Sequence, residues 1–431
     1  MNHFEFKGSL KTVLLAGILI GVLCLGWTWM IDDHNHTRFW SNFLHNSVFF
    51  TGISFTAAFF IAVCITAYAG WHTIFKRVWE AISAFLMPGI LLMAIIGLGV
   101  YFHWHHLYHW SDTAILDPSN TADFDKVLYG KSSFLNKNWY LGGTIIIVGL
   151  WIFFANKLRL LSVLEDNFED SHFSTHRTMR KYAAIFLPIA GFSSAAIIWQ
   201  WVMSVDSHWY STLFAWYATA SWFVSMIALT ILILIYLKGK GYFHQVKRDH
   251  IHDLGKFLFA FSVFWTYLWF SQFMLIWYGN VGEETIYFKT RYDHYPVLFF
   301  ANIFINFAIP FLVLMRNDAK YKFGSVGIVA IIVLLGHWMD FFLMLKPGIY
   351  ETAMHAAPAG EAMGEHGHEV AHAAEHVSNF VSGFTMPGLL ELGTFLGFLA
   401  FFLFVFFTFL SKAPLTPKND PYLDESLHHH V

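Results

Sequence analysis

Ten long apolar stretches, each close to the length of a bilayer crossing, constrain this chain more than any other feature of its sequence. They cover Leu10–Met30, His45–Ala69, Phe85–Phe102, Trp139–Ala155, Tyr182–Met203, Thr212–Leu237, Phe257–Tyr278, Pro296–Met315, Gly324–Leu345 and Leu389–Leu410. At ~20 residues per crossing, ten crossings take up about half of the chain. Lipid gives the backbone nothing to hydrogen-bond, so such runs are helical. Barrel strands would alternate apolar and polar residues, and these runs do not. The expected fold is an all-α integral membrane protein of about ten transmembrane helices. Residues 10–410 form the membrane domain, and residues 1–9 and 411–431 are its flanking termini. Composition agrees, with 56% apolar and 13% charged residues where soluble domains carry roughly a quarter charged. An ordinary soluble enzyme, a disordered chain and a coiled coil are excluded. The first apolar run lacks a small-residue cleavage site and reads as a retained span rather than a signal peptide.

The basic residues orient the spans. Arg38, Lys126, Lys131, Lys137, Lys289, Arg291 and Lys346 fall on one side of the alternating connections, and the other 19 of the 26 fall on the opposite side. The positive-inside rule then places both termini in the cytoplasm and supports an even number of spans. Two outer connections are long, 103–138 and 346–388. The second is rich in Ala, Glu and His (His355, His366, His368, His372, His376) and reads as exposed, its histidines incidental rather than metal-binding. A net charge of −3 with scattered basic groups gives no reason to expect a nucleic-acid partner.

Only two cysteines are present, Cys24 and Cys64. Four are usual for an iron–sulfur cluster, and covalent haem needs Cys-x-x-Cys-His. Haem b needs paired histidines deep in neighbouring helices, and only His337 lies clearly inside a span, with His45 and His103 at span ends. No haem, iron–sulfur cluster or other metal is therefore expected on this chain.

Polar groups inside spans are costly and mark function by default. On the oriented topology they gather in the outer half. Gln200 lies in the last turns of the fifth helix, with Asp206, His208 and Tyr210 at its mouth. The seventh carries Gln272 and ends at Trp277, Tyr278 and Asn280, followed by Glu283, Glu284 and Arg291. The eighth opens with His294 and carries Asn302 and Asn306. On the ninth, His337 and Asp340 are three apart and share a face, with Asp340 roughly 9 Å of helix rise below the boundary at Lys346. Glu391 lies just inside the tenth. The inner halves look poorer, with Glu80, His252 and Asp253 near helix ends. This asymmetry suggests a polar pocket that opens outward, for a headgroup, for protons, or for both. Helix capping accounts equally well for Glu283, Glu284 and Arg291, and interhelical bonding for Asn302 and Asn306.

The stretches VDSHWYSTLFAWYATASWFVSMIALTILI and DHIHDLGKFLFAFSVFWTYLWFSQFMLIWYGNVGEET, within a ten-helix frame, resemble the polysulphide-reductase-type, NrfD-like membrane subunits. Those of alternative complex III, the bacterial quinol:cytochrome c oxidoreductase, are the most similar. The resemblance implies two four-helix bundles, helices two to five and six to nine, plus two peripheral helices. It implies a quinone-type headgroup near the outer surface. The implied partners are a second NrfD-like membrane subunit, an iron–sulfur subunit and c-type haem subunits, besides lipid. The family's acidic residue at the end of helix five maps on Asp206. Its following segment reads His208-Trp209-Tyr210-Ser211-Thr212 here, where the sister subunit typically has a Gly-Trp-His-Ser-Thr order.

The reading that follows is a non-catalytic-alone subunit of a quinol-oxidising respiratory complex. Asp206 and His208 accept protons. Gln272, Tyr278 and Arg291, with Tyr210, Glu283 and His294 near them, orient a headgroup. His337, Asp340 and Glu391 relay protons. The alternatives are an ion- or proton-translocating subunit without redox chemistry and a purely structural membrane anchor.

Overall fold

The computed structural model describes residues 3–119, 124–167, 173–356 and 383–430. Ten helices among them are long and apolar enough to cross a membrane, and none of the described residues forms a strand. The chain is an all-α, multi-pass integral membrane protein. The spans are α1 (Ser9–Ile31), α2 (Thr37–Thr66), α3 (Thr73–Tyr101), α4 (Lys137–Glu165), α5 (Ser174–Trp201), α6 (Thr212–Gly239), α7 (Arg248–Gly279), α8 (Pro296–Leu314), α9 (Phe323–Ala356) and α10 (Leu389–Leu410).

Helices α2 to α5 form one ring, each packed on the next and α5 closing on α2; α6 to α9 form a second in the same way. The rings join where α2 meets α6 and α9 and where α5 meets α6. Helices α1 and α10 lie against each other beside α2. Their contact is built from Gly17 and Gly21 on α1 and Gly393 and Gly397 on α10. A Cβ on Gly21 would stand 2.4 Å from the Gly397 Cα, so only glycine lets the backbones approach this closely.

Both termini sit at one end of the molecule. Phe4 stacks on Phe407, and the Ser426 hydroxyl donates to the Trp71 carbonyl. That end is called terminal below, and the opposite one far.

The helices outrun the apolar stretches, with three consequences. Helix α2 starts at Thr37, so His45 lies in its third turn, fully buried, and not at a span end. Helix α9 continues through Lys346 and Pro347 to Ala356, so Lys346 is a buried helical residue and not the start of a loop. At the terminal end, the charged tips of α3 and α4 are covered by the C-terminal tail. They form a buried ionic network, where the sequence suggested a poorer half. Arg77 pairs with Glu80 and Asp166 at 2.8 and 2.6 Å, and Lys76 with Asp420. Hydropathy averages stop at the charged turns, whereas the helices end only where capping and packing end them.

Candidate functional site

The core of the α6–α9 ring holds a carboxylate to which every other helix of the ring donates. Asp340 on α9 is fully buried. Its Oδ1 accepts from the Tyr217 hydroxyl of α6 and, at 2.8 Å, from the Asn302 amide of α8. Its Oδ2 accepts from the Trp265 indole N–H of α7 at 2.9 Å. All three donors are neutral. A desolvated carboxylate needs such donors, because leaving it bare in the span costs several kcal/mol.

Helix α8 reaches the cluster through a π-turn at Phe304–Ala308, a device that recurs at functional sites. It lets Asn306 donate to the Asn302 Oδ1 at 2.6 Å. Gly336 makes room, because a Cβ there would stand 2.2 Å from the Asn306 Oδ1.

His337 shares the α9 face, as its spacing predicts. Its Nδ1 is 3.8 Å from the Asp340 Oδ2 and 2.9 Å from the Ser221 hydroxyl. Its Nε2 has no hydrogen-bond partner among the described residues, and neither has the Asn306 Oδ1. One nitrogen of a neutral imidazole is a donor and the other an acceptor. Whichever tautomer is present, one unsatisfied nitrogen faces the core beside an acid.

Toward the far end, Tyr217 and Asn302 also line a small cavity with Gln272, Tyr287 and Arg291. About 20 Å³ of it is open to the centre of a water molecule, which is room for about one. Arg291 lies on the short helix Gly282–His294 and is buried. Its Nη2 pairs with the Asp206 Oδ2 at 2.8 Å, and its Nη1 donates to the Tyr287 carbonyl at 2.9 Å. Pro347 cannot bond the Leu343 carbonyl one turn back, and the Arg291 Nε donates there at 2.9 Å instead. Burial raises the proton affinity of the Asp206 carboxyl, and the Arg291 guanidinium offsets only part of that rise.

Of the residues expected at a site, Asp340 and His337 lie together, and Gln272, Arg291 and Asp206 continue from them through the cavity. The others lie elsewhere. His208 is exposed and bonded to Asp125 at 2.5 Å, drawn aside by the 103–138 connection. Tyr210 is 67% and Tyr278 86% exposed, and Glu283 and His294 are on the surface. These positions do not gather round the cavity that Gln272 and Arg291 line.

Glu391 belongs to a second buried cluster, where α2, α9 and α10 meet. Arg38 grips it with two bonds of 2.7 and 3.0 Å, and the Asn42 amide and Gly388 N–H also donate to it. The expected relay through His337, Asp340 and Glu391 is therefore divided between two clusters. Sequence reading missed Arg38, Asn42 and Lys346 in the second and Tyr217 and Trp265 in the first. Each looked like a cap, a boundary or an aromatic among many.

At the terminal end, Glu165, His176 and Asp420 bring ligand atoms within 4.8 Å of one another. The Lys76 ammonium bonds Asp420 and lies 3.8 Å from Glu165, so a lysine already supplies a cation to this group. His366, His368, His372 and His376 and the side chain of His355 lie outside the described residues.

Compared with known proteins, the chain matches no family model and no curated protein.

Proposed function

We propose that this chain is the proton-handling membrane subunit of a quinol-oxidising respiratory complex. Asp340, with His337 beside it, takes up and releases protons, and partner chains carry the electrons. The sequence resemblance to NrfD-like subunits supports the complex. The observation that carries the proton role is Asp340 itself, a fully buried carboxylate held by three neutral donors, with no Lys or Arg bonded to it among the described residues. A structural ion pair would bring its own counter-charge. Asp340 has an imidazole nearby and a path of polar groups through a water-sized cavity to Arg291 and Asp206. In the orientation set by the basic residues, that path opens at the outer face of a bacterial inner membrane, with both termini cytoplasmic.

Quinol oxidation releases two protons with two electrons. A buried carboxylate and imidazole on a path of polar groups suit the proton half of that reaction.

The test is Asp340→Asn, which keeps shape and hydrogen bonding but cannot titrate, set beside Asp340→Leu. In the Asn variant, subunit content of the purified complex should stay normal. Quinol:cytochrome c activity or proton release should fall by about a hundredfold or more, the usual range for an acid–base group. Full activity and proton release in the Asn variant, with failed assembly only in the Leu variant, would leave Asp340 a structural knot and favour a membrane anchor.

A further inference from the structure

Lys346 is the buried ionisable group that the proposed path does not use. It is fully buried on α9, on the side that faces α2. Its Nζ donates to the Ser41 hydroxyl at 2.6 Å and the Asn42 Oδ1 at 2.7 Å. No carboxylate oxygen of the described residues lies within 4.0 Å of it. The Phe384 and Phe342 rings lie beside it, with centres 4.4 and 5.6 Å from Nζ.

Two details make this arrangement chemically specific. Lysine only donates, so the Asn42 amide must turn its oxygen to Nζ; its nitrogen then donates to Glu391 at 3.0 Å. The second concerns proton count. An ammonium has three N–H bonds, and two of them find acceptors among the described residues. A neutral amine has two N–H bonds and would keep both partners. Losing the third proton therefore breaks no hydrogen bond to a described residue; it gives up the contact with Phe384 and the pull of the Glu391 charge, and it relieves the cost of a buried ammonium. Arg38 holds both Glu391 oxygens, so no carboxylate bonds Nζ directly; the Glu391 charge still favours the ammonium, and burial away from water opposes it.

We infer that Lys346 is a second proton-exchange site of this chain, separate from the α6–α9 core, which passes its third proton to and from water at the far end. The step is a plain proton transfer: the Nζ–H bond breaks, the pair stays on nitrogen, and water carries the proton away. The charged and titratable groups around it are Arg38 and His45 on α2, Asp32 just before α2 and Glu391 on α10. On the other side of α9 are Arg291 and Asp206. Of the groups on its own side of α9, Asp32 is the one that is only half-buried. Burial, opposed by the Phe39 N–H and reinforced by Asp33, pushes its carboxyl up to about 7, so it can take up a proton near neutral pH.

The inference does not depend on the chain's place in a respiratory complex, and its test needs no turnover. Thermal unfolding of the purified protein in detergent is followed from pH 6 to pH 10 for the wild type, Lys346→Arg and Lys346→Met. An unfolded lysine keeps its proton to about pH 10.4. If Lys346 gives it up in the folded chain, the unfolded state binds more protons and stability rises with pH. The Tm of the wild type, relative to Lys346→Arg, should then rise by several degrees across this range. Arginine keeps the charge and cannot titrate, so it serves even if Lys346→Met does not fold. A difference between wild type and Lys346→Arg that stays constant with pH would overturn the inference, whatever the activity of the complex. A pH-dependent difference beside unaltered proton release in Asp340→Asn would keep it and remove the proposed function instead.

Discussion

At the scale of single residues, the pairing of Asp206 with Arg291 shows how one contact depends on another. Arg291 donates to Asp206, to the Tyr287 carbonyl and to the carbonyl that Pro347 leaves free on α9. Its guanidinium lies 3.4 Å from the centre of the Tyr287 ring. Removing one partner of a buried pair costs about 3–5 kcal/mol, because the other charge stays behind. Arg291→Met should therefore lower the Tm of the purified protein. The sign of its pH dependence follows from Asp206. Without the cation, its folded carboxyl titrates still further above the unfolded value, so the folded state is favoured at low pH and loses stability as pH rises. The loss of Tm should be smaller at pH 5 than at pH 8, and adding Asp206→Asn should recover part of it. An equal loss at both pH values would mean that Asp206 remains ionised without its partner. The i,i+3 spacing of His337 and Asp340 made their shared face legible in the sequence. Tyr217, Trp265 and Asn302 come from three other helices, and no spacing rule connects them to Asp340.

At the scale of elements, two local departures from regular helix serve the site: the π-turn in α8 and Pro347 in α9. The proline is plain in the sequence. The carbonyl it frees becomes meaningful only beside Arg291. The contact between α1 and α10 is the reverse case. Its small-x-x-x-small spacings, Gly17 to Gly21 and Gly393 to Gly397, are visible in the sequence, yet only the packing shows that they meet. Helix α1 is otherwise poorly buried, so this contact is what holds it. A Cβ on Gly393 would stand 2.4 Å from the Cys24 sulfur, which makes Cys24 a reporter of the contact. Gly397→Leu should separate the helices and raise alkylation of Cys24 by a membrane-permeant maleimide, with buried Cys64 silent in both forms. Gly26→Leu is the control, since a Cβ there meets nothing within 4 Å. Unchanged Cys24 labelling in Gly397→Leu would show that α1 does not depend on the glycine contact.

At the scale of the whole molecule, the C-terminal tail ties the terminal end together. Asp420 bonds Lys76, Ser426 bonds the connection between α2 and α3, and His429 bonds Asp253 at 2.6 Å. Burial works against the Asp420 anion, but the Lys76 ammonium outweighs it and holds the carboxyl below its usual value. A carboxyl depressed in the folded state stabilises above its unfolded value, near 4, and loses that stabilisation as pH falls through the folded one. Hydrogen exchange over residues 413–427 should therefore stay slow at pH 7 and quicken only below about pH 4, after correction for the intrinsic rate. Asp420→Asn should speed it at pH 7 by about tenfold or more, because Lys76 then keeps only the longer contact to Glu165. Exchange in Asp420→Asn as slow as in the wild type would show that the tail is held by its other contacts.

The sequence by itself determined the class of fold, the count of ten spans and the face shared by His337 and Asp340. These follow from the apolarity that lipid demands and from the helical repeat, both of which are local. Tertiary structure decided which polar groups meet. It joined Asp340 to Tyr217, Trp265 and Asn302, sent Glu391 to Arg38, and left His208 and Tyr278 at the surface. A desolvated polar group takes whatever partner the neighbouring helix presents at hydrogen-bond distance. That depends on the rotation and depth of each helix in its ring, which packing against several others fixes at once and no single stretch of sequence carries.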